Sequence, residues 1–435
     1  MSPVKIGLLG LGTVGGGTAN VLLRNAEEIA RRVGRDIKII QAAARETEFP
    51  GVNTESFEIC DDAFEVVKNP DVDIVIELIG GYEPARELVL QAIANGKHVV
   101  TANKALIAKH GNEIFAAARE KGVMVAFEAA VAGGIPIIKA LREGLAANRI
   151  NWIAGIINGT GNFILTEMGD KGRDFPEVLA EAQALGYAEA DPTFDVEGID
   201  AAHKLAILCS LAFGVPLQFD KVFTVGISEI TQDDVVYAEE LGYRIKHLGI
   251  TRRTEKGIEL RVHPTLIPNR RLIANVDGVM NAVLVHGDAV GPTLYYGAGA
   301  GAEPTASAVV ADVIDIARVL TSDPENRVPH LAFQSNALSD DTILAMEEVE
   351  TAYYLRMKAL DRSGVLADVT RILADQGISI EAMLQKDPVG ESHASIIMLT
   401  HRVVEKNMNA AINFIESLDS ISENVIRIRM ETLDS

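Results

Sequence analysis

The first 130 residues alternate between short apolar runs and stretches with helical periodicity. The apolar runs have the length of buried strands and occupy residues 4–9, 37–43, 74–79 and 98–101. Helical patterns follow at residues 18–30 and 84–95, so strands and helices alternate. This order predicts a doubly wound parallel sheet of Rossmann type, whose ligand crevice lies beyond the carboxyl ends of the strands.

The pattern changes after Arg149, where further strands are predicted among helices. The predicted strands are residues 152–157, 222–225, 257–263 and 282–286, and the predicted helices are residues 163–169, 175–185 and 200–213. This mixture indicates an α+β domain with an open sheet face that is available to a subunit partner. A glycine-dense turn at residues 296–303 then leads into a helix that reaches Leu320. Such a turn either lets the backbone approach a ligand or permits a sharp bend.

The last 85 residues predict a small domain of ferredoxin-like topology. Strands at residues 352–360, 378–385, 392–400 and 425–430 combine with helices at 364–376 and 404–418 in the order βαββαβ. The expected domains are a nucleotide-binding domain over residues 1–134, a substrate-binding and dimerisation domain over 135–320, a linker over 321–350 and this C-terminal domain over 351–435. The helix at 303–320 is expected to pack back on the first domain. The fold class is therefore α/β.

Composition narrows the classes of protein. The net charge of −21 disfavours nucleic acid and anionic membranes as partners, and no run of eighteen apolar residues predicts a membrane span. Cys60 and Cys209 have neither disulfide nor zinc-site spacing. A cytoplasmic enzyme or regulator that acts on a small molecule is the expectation.

A glycine motif follows the first predicted strand directly. The sequence Gly10-Leu11-Gly12-Thr13-Val14-Gly15 has the GxGxxG spacing of a dinucleotide-binding turn, in which backbone amides face a pyrophosphate. The second strand ends in Ala44-Arg45 where an acid would select NAD. An arginine there can pair with the 2′-phosphate of NADP, so NADP is favoured unless Arg45 is only a solvated loop residue.

An acidic run, LGYAEADPTFDVEGIDAAHK at residues 185–204, carries the candidate chemistry. Gly186 and Pro192 predict an irregular loop that holds Glu189, Asp191 and Asp195, and a helix is expected to begin near Asp200. Four residues separate Asp200 from Lys204, so the two side chains are neighbours on one helix face. They form either an acid/base pair or an idle surface ion pair. Lys104, at the end of the fourth strand, either faces the ligand crevice or points to water.

Taken together, these segments resemble homoserine dehydrogenase over nearly the whole chain. The matching stretches are GLLGLGTVGGG (7–17), VVTANKALIA (99–108), FEAAVAGGIPII (127–138), GIINGTGNFIL (155–165), LGYAEADPTFDVEGIDAAHKL (185–205) and GAGAGAEPTASAVVAD (297–312). Lys358-Ala-Leu-Asp-Arg-Ser-Gly-Val-Leu366 and Gly377-Ile-Ser-Ile380 are similar to an ACT domain, an amino-acid-sensing module. No aspartate kinase region precedes the glycine motif, as in the single-function form.

The resemblance implies reversible, NAD(P)H-dependent reduction of L-aspartate 4-semialdehyde to L-homoserine, in threonine, methionine and isoleucine biosynthesis. Lys204 is then the acid/base group with Asp200 beside it, and Lys104 shares in proton transfer or binds substrate. The other implied residues bind substrate (Glu189, Asp200, Asp195, Lys104), cofactor (Gly10, Gly12, Thr13, Val14, Gly15, Arg45, Lys104, Gly186, Gly301) and sodium (Glu128 with the carbonyl groups of Val131, Gly133 and Ile135). A homodimer or homotetramer with threonine as effector is also implied.

Two rival functions remain open from the sequence. A semialdehyde dehydrogenase that forms an acyl-enzyme requires a nucleophilic cysteine, and the apolar or helical contexts of Cys60 and Cys209 disfavour it. A non-catalytic amino-acid sensor would use the C-terminal domain as receiver and would not consume NADPH.

Overall fold

The computed structural model describes residues 2–46, 48–386 and 393–434. Its helices and strands up to residue 222 are β1 (Val4–Leu9), α1 (Thr13–Arg24), α2 (Ala26–Val33), β2 (Ile37–Ala43), β3 (Glu58–Cys60), α3 (Ala63–Lys68), β4 (Ile74–Glu77), α4 (Ala85–Ala94), β5 (His98–Thr101), α5 (Lys104–Lys121), β6 (Val125–Ala126), α6 (Ile137–Lys139), β7 (Ile150–Ile156), α7 (Gly159–Lys171), α8 (Phe175–Ala184), α9 (Thr193–Val196) and α10 (Ile199–Phe213). The later elements are β8 (Phe223–Thr224), α11 (Gln232–Glu240), β9 (Tyr243–Arg253), β10 (Ile258–Pro268), β11 (Met280–Gly287), β12 (Gly291–Ala298), α12 (Ala302–Val319), β13 (Glu350–Leu360), α13 (Val365–Asp375), β14 (Ile380–Lys386), β15 (His393–Thr400), β16 (Val403–Val404), α14 (Glu405–Glu416) and β17 (Ile426–Met430).

The chain divides into two compact units. The first unit comprises Met1–Gly159, Asp200–Val222 and Val279–Asp341, and the second comprises Thr160–Ile199, Phe223–Gly278 and Thr342–Ser435. Each unit is assembled from separate stretches of chain, so neither corresponds to one continuous segment. The domain boundaries expected from the sequence stay predictions.

The first unit contains the predicted parallel sheet, in the strand order β3-β2-β1-β4-β5-β6. Every neighbouring pair is parallel, and β1 lies between β2 and β4, where the strand order reverses. The strands β1 and β4 are buried almost throughout, as expected of a sheet that is covered on both faces. The crevice for a ligand is therefore expected at the ends of β1 and β4.

Helix α12 packs against this sheet and against α1. Its apolar residues Val309, Val313 and Ile316 share one core with Ile6 and Leu8 of β1. The contact with α1 is close because Gly17 has no side chain: a Cβ atom there would lie 2.6 Å from the carbonyl oxygen of Ala302. The same unit also holds the antiparallel strands β7, β11 and β12, with β11 in the middle.

The second unit is built on a mixed sheet in the order β9-β10-β17-β13-β15-β14. Strands β9 and β10 are antiparallel over eleven residue pairs, and β17 joins β10 in parallel through Thr265 and Leu266. The C-terminal elements β13, α13, β14, β15, α14 and β17 appear in the predicted βαββαβ order. The predicted fold class is thereby confirmed, and the sheet of the C-terminal module continues into the strands that precede it.

Buried ion pairs join β10 to the chain that follows β17. Arg261 on β10 is fully buried, and its guanidinium donates to Glu259 at 2.9 Å and to Glu431. Arg252 on β9 donates to the other carboxylate oxygen of Glu431 at 3.0 Å. The end of the C-terminal module is therefore fixed to β9 and β10 by charge as well as by backbone hydrogen bonds.

Several predicted elements differ from those in the structure. The helix expected at residues 18–30 is two helices that meet at Asn25, and the first of them begins at Thr13. The long strand β9 was not predicted, and β12 occupies the first part of the segment that was expected to be a turn. The predicted strand at 392–400 is β15, although residue 392 lies outside the described residues. Part of the predicted linker is packed: His330 stacks on Phe115 with ring centres 5.0 Å apart.

Candidate functional site

Asp200 and Lys204 form a buried ion pair on α10. The Lys204 ammonium nitrogen lies 2.6 Å from Asp200 Oδ2, as the four-residue spacing predicts. Asp200 is 3% exposed and Lys204 is 8% exposed, since nearly every residue of α10 is buried. The ion pair is therefore not a solvated pair on the protein surface, and its acid/base role stays a prediction.

Three further groups complete this cluster. The Lys104 ammonium nitrogen lies 2.9 Å from Asp200 Oδ1, and Asn158 Nδ2 donates to Asp200 Oδ2 at 2.9 Å. Lys204 also donates to the carbonyl oxygen of Ile157 at 2.7 Å. Because the Lys104 side chain is 35% exposed and that of Asp200 only 4%, Lys104 forms the solvent-facing side of the cluster. We refer to Lys104, Asn158, Asp200 and Lys204 as the lysine cluster.

Electrostatics keep Asp200 ionised within the lysine cluster. Burial alone would raise its pKa, but the ammonium groups of Lys204 and Lys104 outweigh burial, and Lys204 and Asn158 add hydrogen bonds. The pKa of Asp200 is consequently held well below its usual range. An ionised Asp200 thus contacts the side-chain nitrogen atoms of both lysines.

The glycine motif has the geometry of a nucleotide-binding turn. Gly10 has φ +94°, and a Cβ atom at Gly15 would lie only 2.0 Å from the Gly10 carbonyl oxygen, so both positions require glycine. Gly12 precedes α1 without a side-chain cap, and a Cβ atom there would meet open space. The first amides of α1, from Thr13, Val14 and Gly15, are thus available to a phosphate group.

The other predicted cofactor residues occupy different places. Arg45 is exposed directly after β2, and Gly301, with φ +128°, precedes α12. Both belong to the first unit, as does Lys104. Gly186, with φ +74°, belongs to the second unit.

The acidic loop also lies in the second unit. Glu189 is exposed, and its carbonyl oxygen accepts a hydrogen bond from Gln183 at 3.0 Å. Asp191 accepts from the Thr193 hydroxyl group, and Asp195 lies in the one-turn helix α9. The predicted irregular loop is therefore correct for Glu189 and Asp191 and wrong for Asp195, because the chain forms a helical turn directly after Pro192.

Glu128 lies nine residues before α6, and its buried carboxylate contacts the backbone at the start of that helix. It is 1% exposed, and its two carboxylate oxygens accept from the amides of Ile138 and Lys139, each at 2.8 Å. Burial and the neighbouring Asp312 raise the pKa of Glu128 to about 8, although the two amides and the Lys139 charge act in the opposite direction. Its own amide donates to Asp312 at 2.7 Å.

The three predicted carbonyl ligands follow Glu128 along a tight turn. Ala132 and Gly133 have φ values of +55° and +47°. The Ile135 carbonyl already accepts from the Ile137 amide at 2.8 Å. In the part of the chain that the structure describes, no cluster of three or more His, Cys, Asp or Glu residues could hold a metal ion. A set of one carboxylate and three carbonyl oxygens nevertheless suits a hard monovalent cation. The positive charge of the ion would offset the free-energy cost of burying the carboxylate.

Four polar residues of this region were not among the predicted site residues. Asn158 lies within a matching stretch, directly after β7, yet no role was predicted for it. Glu77, Thr101 and Asn103 are buried polar residues at the ends of β4 and β5. A polar residue at or just after the end of an apolar strand is the sequence signal that would have identified all four, and for Glu77, Thr101 and Asn103 that strand belongs to the parallel sheet.

Comparison with known proteins decides the family. Along its full length the chain is 68% identical to the homoserine dehydrogenase of Pseudomonas aeruginosa, over 435 residues and 100% of both chains. It is 60% identical over 433 residues to the homoserine dehydrogenase of Neisseria gonorrhoeae, again with 100% of both chains covered. The chain belongs to the homoserine dehydrogenase family.

Family models match three parts of the chain. They describe a homoserine dehydrogenase NAD-binding domain at residues 10–128, a homoserine dehydrogenase domain at 136–314 and an ACT domain at 353–419. The lysine cluster draws on the first two of these regions. The resemblance inferred from the sequence is confirmed, and so is the ACT identity of the C-terminal module.

Solved structures of homoserine dehydrogenases share the fold. The crystal structure of a homoserine dehydrogenase from Thiobacillus denitrificans has a TM-score of 0.96 and 68% identity, covering 100% of this chain and 99% of that one. A hyperthermophilic archaeal homoserine dehydrogenase solved in complex with NADPH has a TM-score of 0.63 and 27% identity, covering 74% of this chain and 99% of that one. Among the residues that the structure describes here, no helix is both long and apolar enough to cross a membrane.

Proposed function

We propose that the protein uses the lysine cluster to interconvert L-aspartate 4-semialdehyde and L-homoserine with NAD(P)H. The observation that carries the proposal is the buried Lys204, held by Asp200 at 2.6 Å beside a second lysine. A bound reduced nicotinamide supplies the hydride to the aldehyde carbon. The remaining chemistry falls to residues of this chain.

Lys204 supplies the proton. As the carbonyl oxygen of the substrate gains negative charge, the Lys204 ammonium group stabilises it and donates a proton. Asp200 and the Ile157 carbonyl fix the position of the Lys204 nitrogen through hydrogen bonds of 2.6 and 2.7 Å. In the reverse direction an uncharged lysine accepts the hydroxyl proton of homoserine.

Lys104 and the acidic residues recognise the amino-acid end of the substrate. The substrate carries an α-carboxylate, which pairs with a lysine, and an α-ammonium group, which pairs with carboxylates. Lys104 suits the first task because it is partly exposed beside Asp200. Glu189, Asp200 and Asp195 are proposed for the second, and Lys104 alternatively shares in proton transfer.

The cofactor is proposed to be NADP(H) in preference to NAD(H). The turn at Gly10, Gly12 and Gly15 with the amides of Thr13 and Val14 would receive the pyrophosphate, and Gly186 and Gly301 would approach the cofactor. Arg45 follows β2, where a positive side chain pairs with a 2′-phosphate. The archaeal relative solved with NADPH supports a nicotinamide cofactor.

A sodium ion is proposed at Glu128 and the carbonyl groups of Val131, Gly133 and Ile135. The ion would hold this turn next to the start of α6. Thermal unfolding in sodium chloride, compared with tetramethylammonium chloride at equal ionic strength, tests the site. An equal unfolding temperature in both salts would contradict it.

Assembly and regulation complete the proposal. Strand β12 leaves Tyr296 57% exposed and Val290, just before it, 49% exposed, which supports a homodimer or homotetramer. An ACT domain suggests an amino-acid ligand. We propose that this ligand is threonine and that the protein acts in threonine, methionine and isoleucine biosynthesis. Light scattering and calorimetric titration with threonine test the two proposals. The cytoplasmic location stays a prediction.

A direct assay tests the reaction. Purified protein is mixed with L-aspartate 4-semialdehyde and NADPH, and the nicotinamide absorbance is followed; homoserine with NADP tests the reverse direction. Consumption of NADPH that requires the semialdehyde is expected. An amino-acid sensor without catalytic activity would bind threonine and leave the absorbance unchanged.

The pH dependence of the reverse reaction tests the lysine base. If a lysine is the base, kcat/KM for homoserine should rise with pH, and a flat profile would contradict that assignment.

A further inference from the structure

Glu77 is a buried carboxylate at the end of β4. It is 0% exposed, and its Oε1 atom accepts hydrogen bonds from the amides of Ile79 at 2.8 Å and Gly80 at 3.0 Å. Its Oε2 atom accepts from the Thr101 hydroxyl group at 2.6 Å. These neutral donors compensate for the loss of water around the carboxylate and hold the loop after β4 in one conformation.

Thr101 and Asn103 extend this arrangement to the start of α5. Thr101 Oγ1 accepts from the Asn103 amide at 2.9 Å. The Asn103 side chain caps α5 by accepting from the Leu106 amide at 3.0 Å, and it donates to the Gly81 carbonyl at 2.6 Å. The hydrogen bonds therefore close a ring that runs from Glu77 through the 79–81 loop, Asn103 and Thr101 back to Glu77.

Lys104 is the next residue after this ring and the first residue of α5. Its ammonium nitrogen reaches Asp200 Oδ1 at 2.9 Å, while its side chain is 35% exposed. A lysine side chain has four flexible carbon–carbon torsions, so the position of its nitrogen depends on where the backbone begins the helix. The ring fixes that point: Asn103 is held by Thr101 through its amide and by Gly81 through its side chain.

We propose that Glu77, Thr101 and Asn103 are positioning residues that aim Lys104 at Asp200, an inference that rests on the proposed function. The three side chains act through the backbone at the start of α5: Thr101 donates to Glu77 and accepts from the Asn103 amide, and the Asn103 side chain accepts from the Leu106 amide. Their loss lowers turnover because small displacements of a reacting or binding group reduce rates steeply.

A double-mutant cycle separates positioning from general stabilisation. Thr101→Val keeps the shape of the side chain and removes the hydroxyl group, and Lys104→Met removes the ammonium group that the ring is proposed to aim. The kcat/KM for the semialdehyde is measured for both single variants and for the double variant. Because Lys204 is retained, the Lys104→Met background is expected to keep a measurable rate.

The expected result is strong coupling. Thr101→Val lowers kcat/KM by roughly tenfold or more in the natural background, since hydrogen bonds to charged groups contribute on that scale. In the Lys104→Met background the same change costs about twofold or less, because no ammonium group is left to aim; that difference exceeds the roughly twofold deviation from additivity found for independent sites. Thr101→Ser restores the hydroxyl group and should recover most of the lost rate. Equal losses in both backgrounds would overturn the inference, because they would show that Thr101 acts independently of Lys104.

A second variant covers the case in which Thr101→Val does not fold. Asn103→Ser keeps a helix-capping side chain but cannot reach the Gly81 carbonyl, and it enters the same cycle with Lys104→Met. Additive losses of kcat/KM in this second cycle would also overturn the inference. Failure of the proposed function is distinguishable, since the unsubstituted protein would then show no NADPH consumption with the semialdehyde.

Discussion

Two buried ionic clusters in this molecule use different cations. In the first unit, Asp200 is surrounded by the lysines 104 and 204. In the second unit, the fully buried Arg261 lies between Glu259 and Glu431, and Arg252 binds Glu431 from β9. We refer to Arg252, Glu259, Arg261 and Glu431 as the arginine cluster. Each cluster has a buried centre and one partly exposed cation, Lys104 or Arg252, so burial does not distinguish them.

The difference lies in what each cation can do with its protons. An arginine side chain keeps its proton under all physiological conditions, so the arginine cluster is a fixed structural link between β9, β10 and the end of β17. A lysine can release a proton, and a buried lysine beside one carboxylate can act as an acid and as a base. The identity of the cation, and not its burial, therefore separates the chemical cluster from the structural one.

The largest expected effect is on turnover at the lysine cluster. Lys204→Met should lower kcat about 1,000-fold in both directions, because the proton donor is lost, while NADPH binding persists. Steady-state kinetics and NADPH titration measure the two quantities. Lys204→Arg is the matched control: it keeps a charge but cannot release its proton, so it should be equally slow. Substantial turnover by Lys204→Met would transfer the acid/base role to Lys104.

The same substitution in the arginine cluster should change stability instead. Arg261→Met leaves Glu259 and Glu431 buried without their shared guanidinium, which should cost about 3–5 kcal/mol in the free energy of unfolding. Urea unfolding measures that loss, and kcat/KM of the molecules that remain folded should be unchanged. Arg252→Met is the milder control because that side chain is 18% exposed. An Arg261→Met variant that kept its stability and lost its activity would show that the arginine cluster has a chemical and not a structural role.

Acid should weaken the arginine cluster in a defined pH window. Burial opposes ionisation of Glu431, but Arg261 and Arg252 outweigh burial and lower its pKa from 4.5 to about 2. Because the folded pKa lies below the unfolded one, the stabilisation is complete above pH 4.5 and is lost as the pH falls towards 2. The loss is at most about 3 kcal/mol. Urea unfolding across this range should show a shallower pH dependence for Glu431→Gln; identical slopes would contradict the assignment.

The smallest expected effect comes from an arginine outside both clusters. Arg45 is exposed, so Arg45→Ala should leave the free energy of unfolding nearly unchanged. If it pairs with the 2′-phosphate, KM for NADPH should rise roughly tenfold while KM for NADH changes little. Initial rates with the two cofactors measure the ratio. Equal changes for both would mean that Arg45 does not distinguish them.

Local signals were sufficient for the parallel sheet and for one half of the lysine cluster. Strand β1, the glycine turn and α1 are consecutive in the chain, and the Asp200–Lys204 pair follows from helical spacing alone. The position of Lys104 beside Asp200 is tertiary, because the two residues are 96 positions apart in sequence. Spacing could therefore offer Lys104 only as a candidate.

The unpredicted strand β9 shows why charged residues can hide a buried strand from sequence-based prediction. Its sequence, YRIKHLGITRR, carries basic residues that normally mark a surface or a turn, yet Lys246 within it is 2% exposed. The Lys246 ammonium group donates to the Val276 carbonyl at 2.7 Å and pairs with Asp277 at 3.1 Å. Such compensation comes from residues that are distant in sequence, and no local pattern reveals it.

The parallel pairing of β17 with β10 has a practical consequence for protein engineering. A gene shortened before residue 351 would strip β10 of its neighbour and leave Arg261 without Glu431. The exposed strand edge would invite aggregation, so the ACT module is poorly suited to removal by truncation. Point substitutions on its outer surface are the safer way to probe it.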